Sequence, residues 1–257
     1  MKNIFKYIGL VGISLCSFYY TEKVALYVKN KNPIMQSINE VKDDLYVSSI
    51  NSTLVDELYI IPGISGREVN VNKTFNNSKN LEELEDDYVI YDQIAPEISI
   101  ENNKERVIIR GNESKNKVSF IFDEVNELTQ YMHQKNYRVN LLIKEEKYDL
   151  NYELINDSKN EITYKNIDKF LDKNNINKNL CYVKDNSREI CKDKYKFKES
   201  LTINHSNIST EKNNISSGEI ILIQNTLSLT ELNILINQIK YQDLQIVPLS
   251  ELISETN

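Results

Sequence analysis

Residues Lys117–Glu124 read KVSFIFDE, an apolar run that ends abruptly in two carboxylates, Asp123 and Glu124. A strand that is apolar at successive positions is buried on both faces, as strands of parallel sheets are. In α/β proteins the chemistry gathers at the C-terminal ends of such strands, where side chains leave the core and meet solvent. A second run, Glu219–Asn225 (EIILIQN), ends in two amides instead, Gln224 and Asn225.

Both runs open the same kind of unit. The strand Val118–Phe122 is followed by Val125, Leu128 and Met132, spaced as one face of a helix, and then by a strand over Val139–Ile143. The strand Ile220–Ile223 is followed by a helix and a strand over Leu244–Val247. That helix is well specified: Ser228 and Glu231 have capping-box spacing, and Leu232, Leu235, Ile236 and Ile239 share a face. Two βαβ units predict a parallel α/β sheet or barrel. Between them, Lys144–Ser217 is rich in Asn and Lys, with a short helix expected at Ile167–Leu171 and a strand at Leu180–Val183.

The chain opens with MKNIFKYIGLVGISLCSFYY, in which Lys2 and Lys6 precede an apolar segment from Tyr7 to Tyr20. That segment is short for a bilayer core of about 30 Å, but Ile4 and Phe5 with a snorkelling Lys6 extend it. Both a cleaved signal peptide and an uncleaved anchor fit this pattern. The lack of a small-x-small cleavage site and the interfacial aromatics Phe18, Tyr19 and Tyr20 favour an anchor at 1–20, with the rest of the chain extracellular. Cys16 follows Leu15 rather than a small residue, which disfavours a lipoprotein. A membrane-proximal helix or linker is expected over 21–43, interrupted by Pro33.

A β-rich region is expected over 44–111. Short runs at Leu45–Val47 and Leu58–Ile61 flank the turn-forming Pro62, Gly63 and Gly66, and further strands are expected at Tyr88–Tyr91 and Arg106–Ile109. The acidic run Glu82, Glu83, Glu85, Asp86 and Asp87 contains no glycine for a calcium loop and reads as a solvated face on a short helix and loop. The α/β domain is expected over 112–257.

Composition narrows the function classes. Hydrophobic residues at 40% and charged residues at 27% fit a folded chain of 257 residues. A net charge of −7 with both signs interspersed offers no basic face for a phosphate backbone, so nucleic acid is not an expected partner. With Cys16 in the anchor, Cys181 and Cys191 remain, and an exported domain can pair them in a disulfide. Their surroundings hold too few ligands for zinc. Of the two histidines, His133 falls near a helix end and His205 in a loop, and no nucleophile-elbow pattern supports a Ser/His/Asp triad.

VSFIFDE with its helix and strand, and SGEIILIQN with SLTELNILINQIKYQDLQIVPLSELIS, resemble the first and last motifs of NodB-type polysaccharide deacetylases, the family 4 carbohydrate esterases. FYYTEK, IIPGISGREVN and RGNESKNKVS extend the likeness to a membrane-anchored branch of low-GC Gram-positive bacteria. The resemblance implies an α/β fold: a distorted (β/α) barrel of polysaccharide-deacetylase type, incomplete here, preceded by a β-rich region and an N-terminal membrane helix. It also implies removal of acetyl groups from N-acetylated cell-wall sugars, with a divalent metal held by one Asp and two His, an Asp base and a His acid.

This chain departs from that set. Asp123 occupies the base position and Glu124 the metal position, but Val125 and Asn126 follow where the family has Gly and Pro. No histidine lies between His133 and His205, and the family's terminal His and Asp stand here as Gln224 and Asn225. Amides do not exchange protons near neutral pH. The expectation is therefore a pseudoenzyme with vestigial positions Asp123, Glu124, Gln224 and Asn225, no cofactor, and cell-wall polysaccharide or envelope proteins as partners. The alternative is an active deacetylase, either using zinc or another divalent metal through Asp123, Glu124 and His205 or working by metal-free chemistry.

Overall fold

In a computed structural model the described residues are 2–138, 140–143, 161–164, 180–183, 195–210 and 215–256. The chain divides into two compact units, unit 1 over Met1–Ser48 and Gly66–Ile94 and unit 2 over Ser49–Ser65 and Ala95–Asn257. The region read as 44–111 is thus shared between them rather than standing alone.

Unit 1 begins with α1 (Lys2–Lys31), which runs through the expected boundary at Tyr20 without a break. Among the described residues no helix is long and apolar enough to cross a membrane. The large apolar side chains Ile13, Leu15, Phe18, Tyr19, Tyr20, Val24 and Tyr27 of α1 are nevertheless exposed. Asn32 ends this helix and caps the next, α2 (Pro33–Val41), its side chain accepting from Ile34 N at 2.9 Å. Pro33 takes the first helical position, where its missing N–H costs nothing. Ile34 and Ile38 of α2 pack with Leu45, Val69, Phe75 and Tyr91. The last two belong to α3 (Val71–Ser78) and to the antiparallel pair β3 (Gly66–Val69) and β4 (Tyr91–Ile94). The expected strand at Leu45–Val47 is reduced to an isolated bridge from Val47 to Arg67, and the acidic run carries only a short 3-10 turn at Asp86–Tyr88.

Unit 2 is built on one sheet. In spatial order its strands are β1 (Thr53–Leu54), β2 (Tyr59–Ile61), β5 (Val107–Ile108), β10 (Tyr195–Phe197), β9 (Leu180–Tyr182), β8 (Glu161–Tyr164), β7 (Asn140–Ile143), β6 (Lys117–Phe122), β12 (Ile220–Ile223) and β11 (Leu201–Ile203). Every neighbouring pair from β2 to β11 is parallel, and β1 is antiparallel to β2. Among the described residues β1 and β11 are not paired with each other, so the ladder is open.

β6 is central and buried on both faces, as its unbroken apolar run requires. Val118, Phe120 and Phe122 pack under α4 (Glu127–Gln134) and α6 (Leu229–Tyr241), against Leu128, Met132, Leu232, Leu235 and Ile239. Ile121 points the other way, into a cluster with Ile60, Ile108, Tyr182, Phe197 and Ile220. Those residues come from strands far apart in the ladder, so the sheet curls around a shared interior. Beside α4 and α6, unit 2 carries the helices α5 (His205–Thr210) and α7 (Leu249–Ile253).

Both βαβ units are present, with one difference in pairing. The strand after α6, β13 (Gln245–Ile246), pairs with Lys117 and Val118 of β6 rather than with β12. The second unit therefore crosses over β6. Asn126 caps α4: its side chain accepts from Leu128 N at 3.0 Å, and its own backbone N–H donates to Thr129 Oγ1 at 3.0 Å. The capping box of Ser228 and Glu231 on α6 forms as its spacing predicts. Cys181 is buried on β9 and disulfide-bonded. Cys191, and the helix expected at Ile167–Leu171, lie outside the described residues.

Candidate functional site at the strand ends

Register brings three strand ends together. Phe122 of β6 pairs with Ile223 of β12, and Ile223 pairs with Ile203 of β11. The next residues along each strand therefore emerge on one edge of the sheet: Asp123 and Glu124, Gln224 and Asn225, Asn204 and His205. Gln224 N donates to Ile203 O at 3.0 Å, which carries the β11–β12 pairing one step beyond the last strand residue.

Two side-chain bonds organise this edge. Asn225 Nδ2 donates to Glu124 Oε2 at 3.2 Å, joining the two strand-end pairs read from sequence. His205 begins α5 rather than lying in a loop, and its Nδ1 stands 2.6 Å from Glu231 Oε1 in the first turn of α6. Glu231 is held further by Ser228, whose backbone N–H at 2.9 Å and hydroxyl at 2.8 Å both donate to Oε2. The Ser228 backbone bond, then the Ser228 hydroxyl, and more weakly His205 hold the Glu231 carboxyl below its usual range, against an opposing effect of burial.

The sequence singles out Asp123, Glu124, Gln224 and Asn225, and the structure places all four on this edge. The sequence also offers His205 as a candidate ligand, but its pairing with Glu231 is not legible there, because the two meet across 26 residues and only the capping role of Glu231 has a local signal. His133 lies instead in the last turn of α4, and Cys181 on β9.

Among the described residues no group of three or more His, Cys, Asp or Glu side chains is arranged to hold a metal ion. Asp123, Glu124 and His205 do not form one. The amide of Asn225 turns its N–H toward Glu124, a donor where a metal needs a lone pair. The described residues of this edge therefore do not fit the divalent metal that the fold type implies. What they offer is a row of hydrogen-bond donors and acceptors without an imidazole and carboxylate set around a metal.

No family model matches the sequence, and no curated protein is similar to it. Solved structures do match. The wild-type CE4 family pseudoenzyme from Bacillus anthracis superposes with a TM-score of 0.60 at 15% identity, covering 87% of this chain and 96% of that one. The fold is of the polysaccharide-deacetylase type. A mutant of that pseudoenzyme with restored enzymatic activity gives a TM-score of 0.59 at 16% identity, covering 87% of this chain and 99% of the other. The superposed span is longer than unit 2 alone, so the likeness includes part of unit 1.

Proposed function

We propose that this chain is a polysaccharide-deacetylase-like protein of the cell envelope that binds cell-wall glycan or an envelope partner without hydrolysing it. The observation that carries this reading is the bond from Asn225 to Glu124 at the strand ends. In a fold whose chemistry sits at that edge, an amide occupies the place of a proton-exchanging group and is hydrogen-bonded to the carboxylate at the metal position. Side-chain amides and carboxylates suit a hydroxyl-rich ligand, which needs donors and acceptors in fixed positions. Membrane attachment through α1 is part of the proposal, supported by its exposed Phe18, Tyr19 and Tyr20. The similarity to a CE4 family pseudoenzyme accords with a fold kept without its chemistry.

The test uses the purified chain with insoluble peptidoglycan and with soluble N-acetylated glycan fragments. The expected result is retention on the wall material, no acetate above the blank, and less than ~0.1 equivalent of zinc after dialysis. Acetate release together with tightly bound metal would support the active deacetylase instead. Failure of every glycan to retain the chain would remove the wall-binding form.

A further inference from the structure

Residues 49–65 form a local element of unit 2. Ile50 and Ile64 exchange backbone bonds of 2.7 and 2.8 Å, and β1 pairs with β2. Gly63 lies so close to the opposite strand that a Cβ there would stand 2.2 Å from Ile50 O. The element reaches the ladder through β2 and β5, where Val107 N donates to Leu58 O at 2.8 Å.

A second attachment comes from residues some 200 positions later. Glu255 Oε1 accepts three hydrogen bonds: from Ser52 Oγ at 2.5 Å, from Gly63 N at 3.2 Å and from Ile100 N at 3.0 Å. Ser52 and Ile100 are buried. The Glu255 carbonyl accepts from Ser65 N at 2.5 Å. Lys115 donates to the carbonyls of Ser254 and Thr256, fixing the same stretch from the other side. One carboxylate oxygen thus satisfies a hydroxyl and two backbone donors, beside the bonds that Ser52 N gives Ile98 O at 2.8 Å, that Asn51 Oδ1 accepts from Glu97 N and Ile98 N, that Asn112 Nδ2 gives Pro62 O at 3.0 Å and that Arg106 gives Asp56 O.

We propose that Ser254–Thr256 is a strap and Glu255 its fastener, so that without the carboxylate residues 49–65 open from β5 as one unit while β6 and β12 stay folded. Loss of the carboxylate takes this acceptor from the Ser52 hydroxyl and Ile100 N and leaves Gly63 N only its bond to Ser52 Oγ at 2.8 Å, and the element that holds Ser52 and Gly63 is the one that opens. Opening turns β5 into a sheet edge and uncovers Val107 and Ile108, which are 2% and 1% exposed in the closed form. The strap therefore guards a strand against unwanted edge pairing.

Hydrogen exchange on the full chain tests this. In Glu255→Ala the amides of Gly63 and Ile100 should exchange at least ~10-fold faster than in the wild type, with those of Phe120 and Leu222 within ~2-fold. Glu255→Gln keeps one carbonyl oxygen in place and should recover most of the protection. Unchanged exchange at Gly63 and Ile100 overturns the proposal. So does an equal rise at Phe120 and Leu222, which would mean that the unit opens only as a whole, and so does a Gln variant no better protected than the Ala variant.

Discussion

Asn225 and Glu124 meet at the ends of adjacent parallel strands, the amide Nδ2 donating to the carboxylate Oε2 at 3.2 Å. Replacing the amide by a second carboxylate inverts this contact. In Asn225→Asp two like charges face each other on an exposed edge, at a cost of about 1 kcal/mol near neutral pH. The repulsion raises the pKa of the pair above the unfolded values, so the penalty is present at pH 7 and disappears once the pair is protonated. Thermal melts at pH 7 and pH 4 check this. The variant should melt below the wild type at pH 7 and approach it at pH 4, and a penalty that persists at pH 4 would count against the contact.

The carboxyl of Glu231 gives a separate pH dependence with the sign of a depressed acid. Its folded pKa lies below the ordinary 4.5, mainly through the Ser228 backbone and hydroxyl bonds. Stability from it is complete above the unfolded value and is lost as pH falls from about 4.5 through the lowered folded value. Between pH 6 and pH 3 the wild type should therefore lose more melting temperature than Glu231→Gln. His205 is the weakest of the lowering partners, so His205→Ala should keep most of the acid dependence. Ser228→Ala removes the hydroxyl bond but keeps the backbone one, so it should keep the larger part of the acid dependence while costing about 1 kcal/mol through the missing helix cap. Equal acid slopes in the wild type and Glu231→Gln would refute the assignment.

These two contacts differ in how far the sequence exposes them. The runs KVSFIF and IILI, with polar pairs after each, mark strand ends because apolar periodicity and its abrupt stop are local signals. The capping box of Ser228 and Glu231 is local too. That β6 and β12 are neighbours, with Asn225 on Glu124, is set by pairing across about 100 residues and has no local signature. The same holds for β13, whose preference for β6 over β12 depends on the crossover and not on its own composition. In α1 the charged and polar residues after Tyr20 suggest a boundary, yet the helix continues to Lys31, where the Asn32 cap and Pro33 end it. The division of 44–111 between two units is equally hidden, because its short strands look alike whichever sheet they join.

Asn140 is a further residue that an apolar strand pattern conceals. It is fully buried at the start of β7. Its Nδ2 donates to Ser119 Oγ at 2.8 Å and to Phe120 O at 2.6 Å, while its Oδ1 accepts from Leu249 N at 3.0 Å. One amide thus ties β7, β6 and α7 together. Asn140→Ala strands three buried polar groups and opens a small cavity, so a loss of about 3 kcal/mol is expected in urea unfolding. Asn140→Asp keeps the acceptor but loses the donor and buries a carboxylate, and should be at least as damaging at pH 7. A loss below about 1 kcal/mol in Asn140→Ala would show that water replaces the network.

Gly218 controls how β12 enters the sheet. Its φ of +88° lies where L side chains rarely go, and a Cβ would stand 2.4 Å from Gly111 O. The close approach exists because Gly111 N donates to Gly218 O at 2.7 Å and Gly218 N donates to Lys117 O at 2.7 Å, which sets the register of β12 just before it pairs with β6. Gly218→Ala therefore combines a strained backbone with a clash against backbone that cannot swing away. A loss of about 2–3 kcal/mol is expected by chemical denaturation. If the strain is relieved by shifting the start of β12, the strand-end edge moves with it, and the Asn225→Asp penalty at pH 7 should shrink in the double variant. Strict additivity of the two substitutions would instead place Gly218 as a stability determinant with no hold on the edge.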